Sequence, residues 1–112
     1  KDVKSSNYII NVSNDTWFGN SFGPYQHLEI SRIRSVENNI PIIRATNDGI
    51  SALIDNKGTI VDYMDKGDSG ILYAKLVPTN VRTFYNQYGN LLLYLYLLTV
   101  SIRIFFVRMK NA

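Results

Sequence analysis

Residues 91–107 read LLLYLYLLTVSIRIFFV, with Arg103 as the single charge inside the run. As a helix, seventeen residues reach about 26 Å, against roughly 30 Å for the hydrocarbon core of a bilayer. From Arg103 a long stem can snorkel to the interface that Arg108 and Lys110 occupy. Tyr85 and Tyr88 flank the other end, where interfacial aromatics gather. A buried or interfacial helix is the alternative, because the run is at the short end for a span. The roughly 80 residues that precede it would have difficulty covering so apolar a helix on all sides. A transmembrane helix over 91–107 is therefore expected, entered through a juxtamembrane linker at 81–90. The basic tail 108–112 then faces the cytoplasm and residues 1–88 the opposite side.

The charge distribution agrees with that division. Residues 1–81 hold 8 Lys/Arg and 9 Asp/Glu, whereas residues 82–112 hold four basic residues and no acid. The net charge of +3 thus arises in the tail. No basic cluster interleaved with stacking aromatics precedes it, so a nucleic-acid face is excluded. The chain has no cysteine, which removes disulfides, thiolate metal sites and a Cys nucleophile. KDVKSSNY, at the start, lacks the apolar stretch of a signal peptide and has no initiator Met, so it reads as the middle of something.

Residues 1–80 predict a mixed α/β unit. NYIINVSN (7–14) reads as a buried, central-type strand. A loop with Gly19, Gly23 and Pro24 follows, and Pro24 suits the first turn of a helix. The spacing predicts that helix over 25–38, with Leu28, Ile33 and Val36 on its apolar side. PIIRAT (41–46), ISALI (50–54), TIVDYM (59–64) and ILYAKL (71–76) read as four further strands joined by turns.

Chemistry within these residues is sparse. Ser13, Asp15 and the only histidine, His27, could be arranged on paper as nucleophile, orienter and base, but nothing in their spacing demands it. Asp62, Asp65 and Asp68 lack the Gly and closing Glu of a calcium loop and read as solvated turn residues. Glu37 near Arg34 and Arg44 suggests a buried, structural ion pair. No metal or cofactor is expected.

The motif text carries more. SNDTWFG (13–19), GPYQH (23–27), RIRSVENNIPIIRATNDGISALID (32–55) and TFYNQYGN (83–90) occur in that order. Together they resemble the C-terminal part of the nitrilase-like domain of the bacterial apolipoprotein N-acyltransferase family, within the wider carbon-nitrogen hydrolase superfamily. The resemblance runs from about Tyr8 to Val107.

The resemblance implies a partial αββα sandwich on the periplasmic side of the inner membrane, followed by the family's last membrane helix. Such enzymes move an acyl chain from a phospholipid to the N-terminal amine of a diacylglyceryl-cysteine lipoprotein. The route is a thioester on a Cys, with a Glu as general base and a Lys at the oxyanion. In the family all three precede the SNDxWFG motif. Lys1 and Lys4 do not sit in the matching context, so this chain by itself is expected to be inactive and to need an upstream complement. On the same resemblance Asn14, Asp15, Trp17, Phe18, Gly19, His27 and Asn47 line the rim of the substrate pocket. Trp17 and Phe18 would offer apolar area to acyl chains or to the membrane surface. Asn14 and Asp15 would hold the loop by side-chain bonds to backbone, and Gly19 would permit its turn. Against that, Trp17 could simply pack on helix 25–38. Arg34, Glu37, Arg44 and Gly49 are expected to be scaffold. Two other readings stand: a non-catalytic, membrane-tethered interaction module, and the end of another nitrilase-type amidase. About 80 residues bury only some 60–65% of their surface, so the piece should be marginal or dependent on a partner.

Overall fold

A computed structural model describes residues 6–111 of the chain. Lys1 and Lys4, and the last residue of the basic tail, lie outside the described residues. Four strands form one sheet in the order β1 (Ile9–Asn14), β2 (Ile42–Asn47), β3 (Ser51–Ile54) and β4 (Ile60–Met64). Strands β1 and β2 are parallel, joined through helix α1 (Gly23–Asn38), whereas β2–β3 and β3–β4 are antiparallel. The mixed α/β class expected from the sequence is what forms. The parallel register sets Asn11 opposite Arg44 and Ser13 opposite Thr46, so alternate residues of both strands face α1.

α1 begins two residues before the expected start, with Pro24 in its first turn, where the missing N–H costs nothing. It stops at Asn39, which takes the left-handed conformation (φ 55°) and returns its N–H to the last turn. The buried stripe is Pro24, Leu28, Ser31 and Ser35, a helical spacing of four, three and four. Leu28 packs there with Ile42, Ile50, Ala52 and Ile54, and Ile9 and Ile60 close the edges. Ile33 and Val36, expected on the apolar side, are instead about half exposed. The small serines let the helix approach the sheet closely, and Ser35 Oγ satisfies itself on Asp55 O at 2.6 Å.

The opposite face of the sheet is only partly covered. Ile10 and Val12 are 71% and 77% exposed, and among the described residues β1 pairs with β2 alone. The expected cover on both faces is thus incomplete, and among the described residues one edge of β1 is open. The strand expected at 71–76 does not form either. That segment crosses the sheet face, where Leu72 and Leu76 overlie Tyr8, Ile43 and Leu53 around an apolar cleft. Tyr8 Oη donates to Leu76 O at 3.1 Å. Covering apolar surface on the face wins over pairing with the free edge of β4.

From there the chain returns to the C-terminal end of α1. Asn39 Nδ2 donates to Val81 O (2.7 Å) and Thr79 Oγ1 (3.2 Å), while Asn39 Oδ1 accepts from Asn56 (2.7 Å). Thr83 Oγ1 donates to Glu37 O and caps the short helix α2 (Phe84–Tyr88) by accepting from Asn86 N. Asn86 in turn donates to Asn38 Oδ1 at 3.1 Å. Gly89 (φ 55°) separates α2 from helix α3 (Leu91–Asn111). Residues 81–90 are thus fastened to the end of α1 by side-chain hydrogen bonds.

Within α3, residues Leu91–Lys110 are long and apolar enough to cross a membrane, and none of that stretch is buried against the rest of the chain. Twenty residues at 1.5 Å each give about 30 Å, the thickness of the hydrocarbon core. Its hydroxyls are satisfied within the helix: Thr99 Oγ1 donates to Tyr96 O (2.7 Å) and Ser101 Oγ to Leu97 O (2.8 Å). In lipid that is the only cheap place for them.

Candidate functional site

Asp15 lies one residue beyond β1, where the backbone leaves the sheet, and its side chain turns under the N-terminal half of α1. Its N–H donates to Asn47 O at 2.9 Å, which holds the end of β1 to that of β2. The carboxylate is wholly buried and collects three donors. Oδ1 accepts from Ser13 Oγ (3.0 Å) and His27 Nδ1 (2.9 Å), and Oδ2 accepts from Arg44 Nη2 (2.9 Å). Arg44, equally buried, spends its other donors on Asn11 Oδ1 (2.5 Å), Ser31 Oγ (3.1 Å) and Ile50 O (3.2 Å). Burial pulls the Arg44 guanidinium below its ordinary pKa, and the Asp15 charge opposes that pull. A buried charge persists only when paired and hydrogen-bonded, and here both conditions are met.

Ser13, Asp15 and His27 therefore do come together, but in the wrong order for a nucleophile triad. The carboxylate sits between the other two, and Ser13 donates to Asp15 rather than to the imidazole. Among the described residues no imidazole is positioned to take the Ser13 proton. The expected link of Glu37 to Arg44 is also corrected. Glu37 pairs with Arg34 at 2.7 Å on the partly exposed side of α1, while Arg44 faces the opposite way into the core. Tyr85 first, and Glu37 second, hold the Arg34 guanidinium above its ordinary pKa.

Around Asp15 the loop is tied by its neighbours. Asn14 Oδ1 accepts from Thr16 N (3.2 Å) and Thr16 Oγ1 (2.7 Å), and Asn14 O accepts from Trp17 Nε1 (2.9 Å). Asn47 Nδ2 reaches Asn14 Oδ1 and Thr16 Oγ1 at 3.5 Å, a weak clasp. Asp15 differs from expectation: its side chain bonds to other side chains, and it is its backbone that holds the loop. Residues Thr16–Phe18 form one 3-10 turn, ended by Gly19 at φ 54° and ψ −137°, a region open essentially to glycine alone. Lys66 Nζ donates to Gly19 O and stands 3.8 Å from Asp48 Oδ2. Gly49 passes so close that an added Cβ would lie 2.6 Å from Asp15 Oδ2.

Trp17 does not pack into the core. It is 78% exposed and stacks on Phe18, with centroids 4.2 Å apart at 23°. Phe18 meets His27 edge-on at 6.1 Å and covers Gly23, where an added Cβ would strike the ring at 2.1 Å. Trp17, Phe18, Gly23, Gln26, His27 and Ile30 line an open groove of about 310 Å³ along the first turns of α1. Its walls are aromatic and aliphatic, and its polar groups are the His27 imidazole and the Gln26 amide. Asn11, Ser31 and Ile30 carried no signal in the sequence motifs. The small-residue spacing Leu28–Ser31–Ser35 was the signal available for Ser31.

With this geometry in hand, residues 3–86 match the carbon-nitrogen hydrolase family. The chain belongs to that family. Proteins named apolipoprotein N-acyltransferase are similar to it over most of its length. That of Vibrio parahaemolyticus is 44% identical over 89 residues, covering 80% of this chain and 18% of the relative. Those of Rickettsia bellii and Haemophilus influenzae are 37% and 38% identical, each over 96% of this chain and 20% and 22% of the relative. This carbon-nitrogen hydrolase chain spans about a fifth of the length of the curated relatives it matches. The match stops at residue 86, within α2, so α3 lies outside the hydrolase region.

Proposed function

We propose that this chain is the C-terminal part of an apolipoprotein N-acyltransferase. In that reading a phospholipid gives an acyl chain to the N-terminal amine of a diacylglyceryl-cysteine lipoprotein through a thioester. The single observation that carries the reading is the identity of 36–45% to relatives so named, extending over 73–96% of this chain. By the family resemblance the Cys nucleophile, the Glu base and the oxyanion Lys precede SNDTWFG, and this chain holds no Cys.

Asn14, Asp15, Trp17, Phe18, Gly19, His27 and Asn47 form the pocket rim in this proposal. An apolar groove with two polar groups suits a ligand whose long tail is greasy and whose head is polar. Residues 1–80 are the hydrolase unit, 81–90 the tether, 91–107 the span and 108–112 a cytoplasmic tail. The hydrolase unit then stands on the periplasmic side of the inner membrane, in line with Arg108 and Lys110 following the span.

The test uses the complete polypeptide that contains SNDTWFGNSFGPYQH, purified from membranes and reconstituted with phospholipid and a diacylglyceryl-cysteine peptide. Mass spectrometry should show the peptide gaining one fatty acyl group as an amide, with the phospholipid losing one. Hydrolysis of a small amide with no acyl gain would instead assign the chain to an amidase.

A further inference from the structure

The clearest feature that the rim assignment leaves unused is the way His27 is held. Asp15 as a carboxylate can only accept, so the Nδ1 atom 2.9 Å from its Oδ1 carries the hydrogen. In a neutral imidazole Nε2 is then the acceptor. Among the described residues Nε2 has no hydrogen-bond partner, the side chain is 31% exposed, and His27 lines the aromatic groove. Asp15 cannot rotate away, because Arg44 grips its other oxygen and is itself fixed by Asn11, Ser31 and Ile50. The edge of Phe18 sits against the ring.

We propose that Arg44 and Asp15 are positioning residues that hold His27 in the Nδ1–H form, so that Nε2 accepts a hydrogen bond from the amine of an amphipathic ligand lying in the Trp17–Phe18–Ile30 groove. Among the side chains lining the groove, the only other acceptor is the Gln26 amide. Its aromatic walls suit the apolar part of the same ligand, and an amine head gains from a nearby indole face as well. The proposal rests on the acyl-transfer reading only for the identity of that ligand, the free amine of the acceptor. It assigns no bond-making step to His27.

Two substitutions separate this role from a merely structural one. His27→Asn keeps an amide donor where Nδ1 stood and removes the atom at Nε2. His27→Gln reaches toward the Nε2 position and gives up Asp15. In the complete reconstituted protein, kcat/KM for a diacylglyceryl-cysteine peptide should be higher in His27→Gln than in His27→Asn. The gap should be about 3- to 10-fold, as one neutral hydrogen bond contributes, and it should lie in KM. The reverse order, or equal values, would overturn the proposal, because the imidazole would then serve only to satisfy Asp15.

A second measurement needs no variant to fold and no turnover. The ¹⁵N spectrum of the histidine-labelled complete protein should show the Nδ1–H tautomer at His27, and the Nε2 signal should move when the peptide is added. An Nε2–H tautomer, or an Nε2 signal that ignores the peptide, sinks the relay. If the protein transfers no acyl group, the acyl-transfer reading fails, while the tautomer still judges the relay.

Discussion

Arg44 on β2 and Asp15 just past β1 meet at 2.9 Å, twenty-nine residues apart in sequence, with both side chains sealed from solvent. The contact joins the two parallel strands beneath α1 and puts a charge pair where the rest of the layer is aliphatic. Arg44→Met removes one charge and leaves the other buried. Loss of stability by about 3–5 kcal/mol is expected. Arg44→Lys should recover only part of it, since a single ammonium cannot replace a fork that reaches four partners. Thermal unfolding of the complete protein in detergent, with both variants alongside the parent, measures the difference.

Gly49 stands against the same carboxylate. In Gly49→Ala the new methyl would lie 2.6 Å from Asp15 Oδ2 and 2.8 Å from Thr46 Oγ1, atoms without room to retreat. The expected cost is about 1–3 kcal/mol, as for overpacking elsewhere in protein cores. A melting temperature equal to that of the parent would mean that the loop after β2 yields freely.

Trp17 offers the opposite case. At 78% exposure its truncation should leave stability within about 0.5 kcal/mol. If the groove holds the apolar part of the acceptor, Trp17→Ala should nevertheless raise KM for the diacylglyceryl-cysteine peptide in the complete enzyme. Unchanged stability with unchanged peptide dependence would remove Trp17 from the rim.

Asn39 closes α1 and ties the linker to it. Asn39→Gly keeps the left-handed backbone and deletes the contacts to Val81, Thr79 and Asn56, so roughly 1 kcal/mol per hydrogen bond is at stake. Hydrogen exchange of the complete protein in lipid nanodiscs should quicken across residues 79–88 and stay unchanged in β2 and β3. Uniform protection would show that α2 docks without the asparagine.

Leu98 lies near the middle of α3. Placing Arg there should cost about 2.5–3.5 kcal/mol of insertion on the translocon scale. Leu98→Arg is therefore expected to raise the fraction released by alkaline extraction of membranes. Equal retention would argue that α3 is not surrounded by lipid.

Much of this architecture was legible in the residues. β-branched runs between turn residues marked the first four strands to within two positions, and the 91–107 run marked α3, because local propensity and length decide such elements. The limits of α1 were also legible from Pro24 and the Asn38–Asn39 stop. The buried side of α1 was not. Leu28–Ile33–Val36 offered more apolar surface, but the helix turns Leu28, Ser31 and Ser35 inward. Serines allow close approach and find partners in Ser31's contact with Arg44 and Ser35's with Asp55. ILYAKL reads as a strand between turns, yet it covers a sheet face instead.

The sequence alone determined the mixed α/β class, the apolar helix at the C-terminal end and, through SNDTWFG and GPYQH, the resemblance to a carbon-nitrogen hydrolase. Those depend on local pattern and order along the chain. Tertiary structure alone decided that Asp15 takes Arg44 and His27 together, and that Arg44 leaves Glu37 to Arg34. Several acids and bases could pair on paper. Only the parallel register of β1 with β2, and the small-residue face of α1 laid over it, brought one carboxylate within reach of both partners and closed water out.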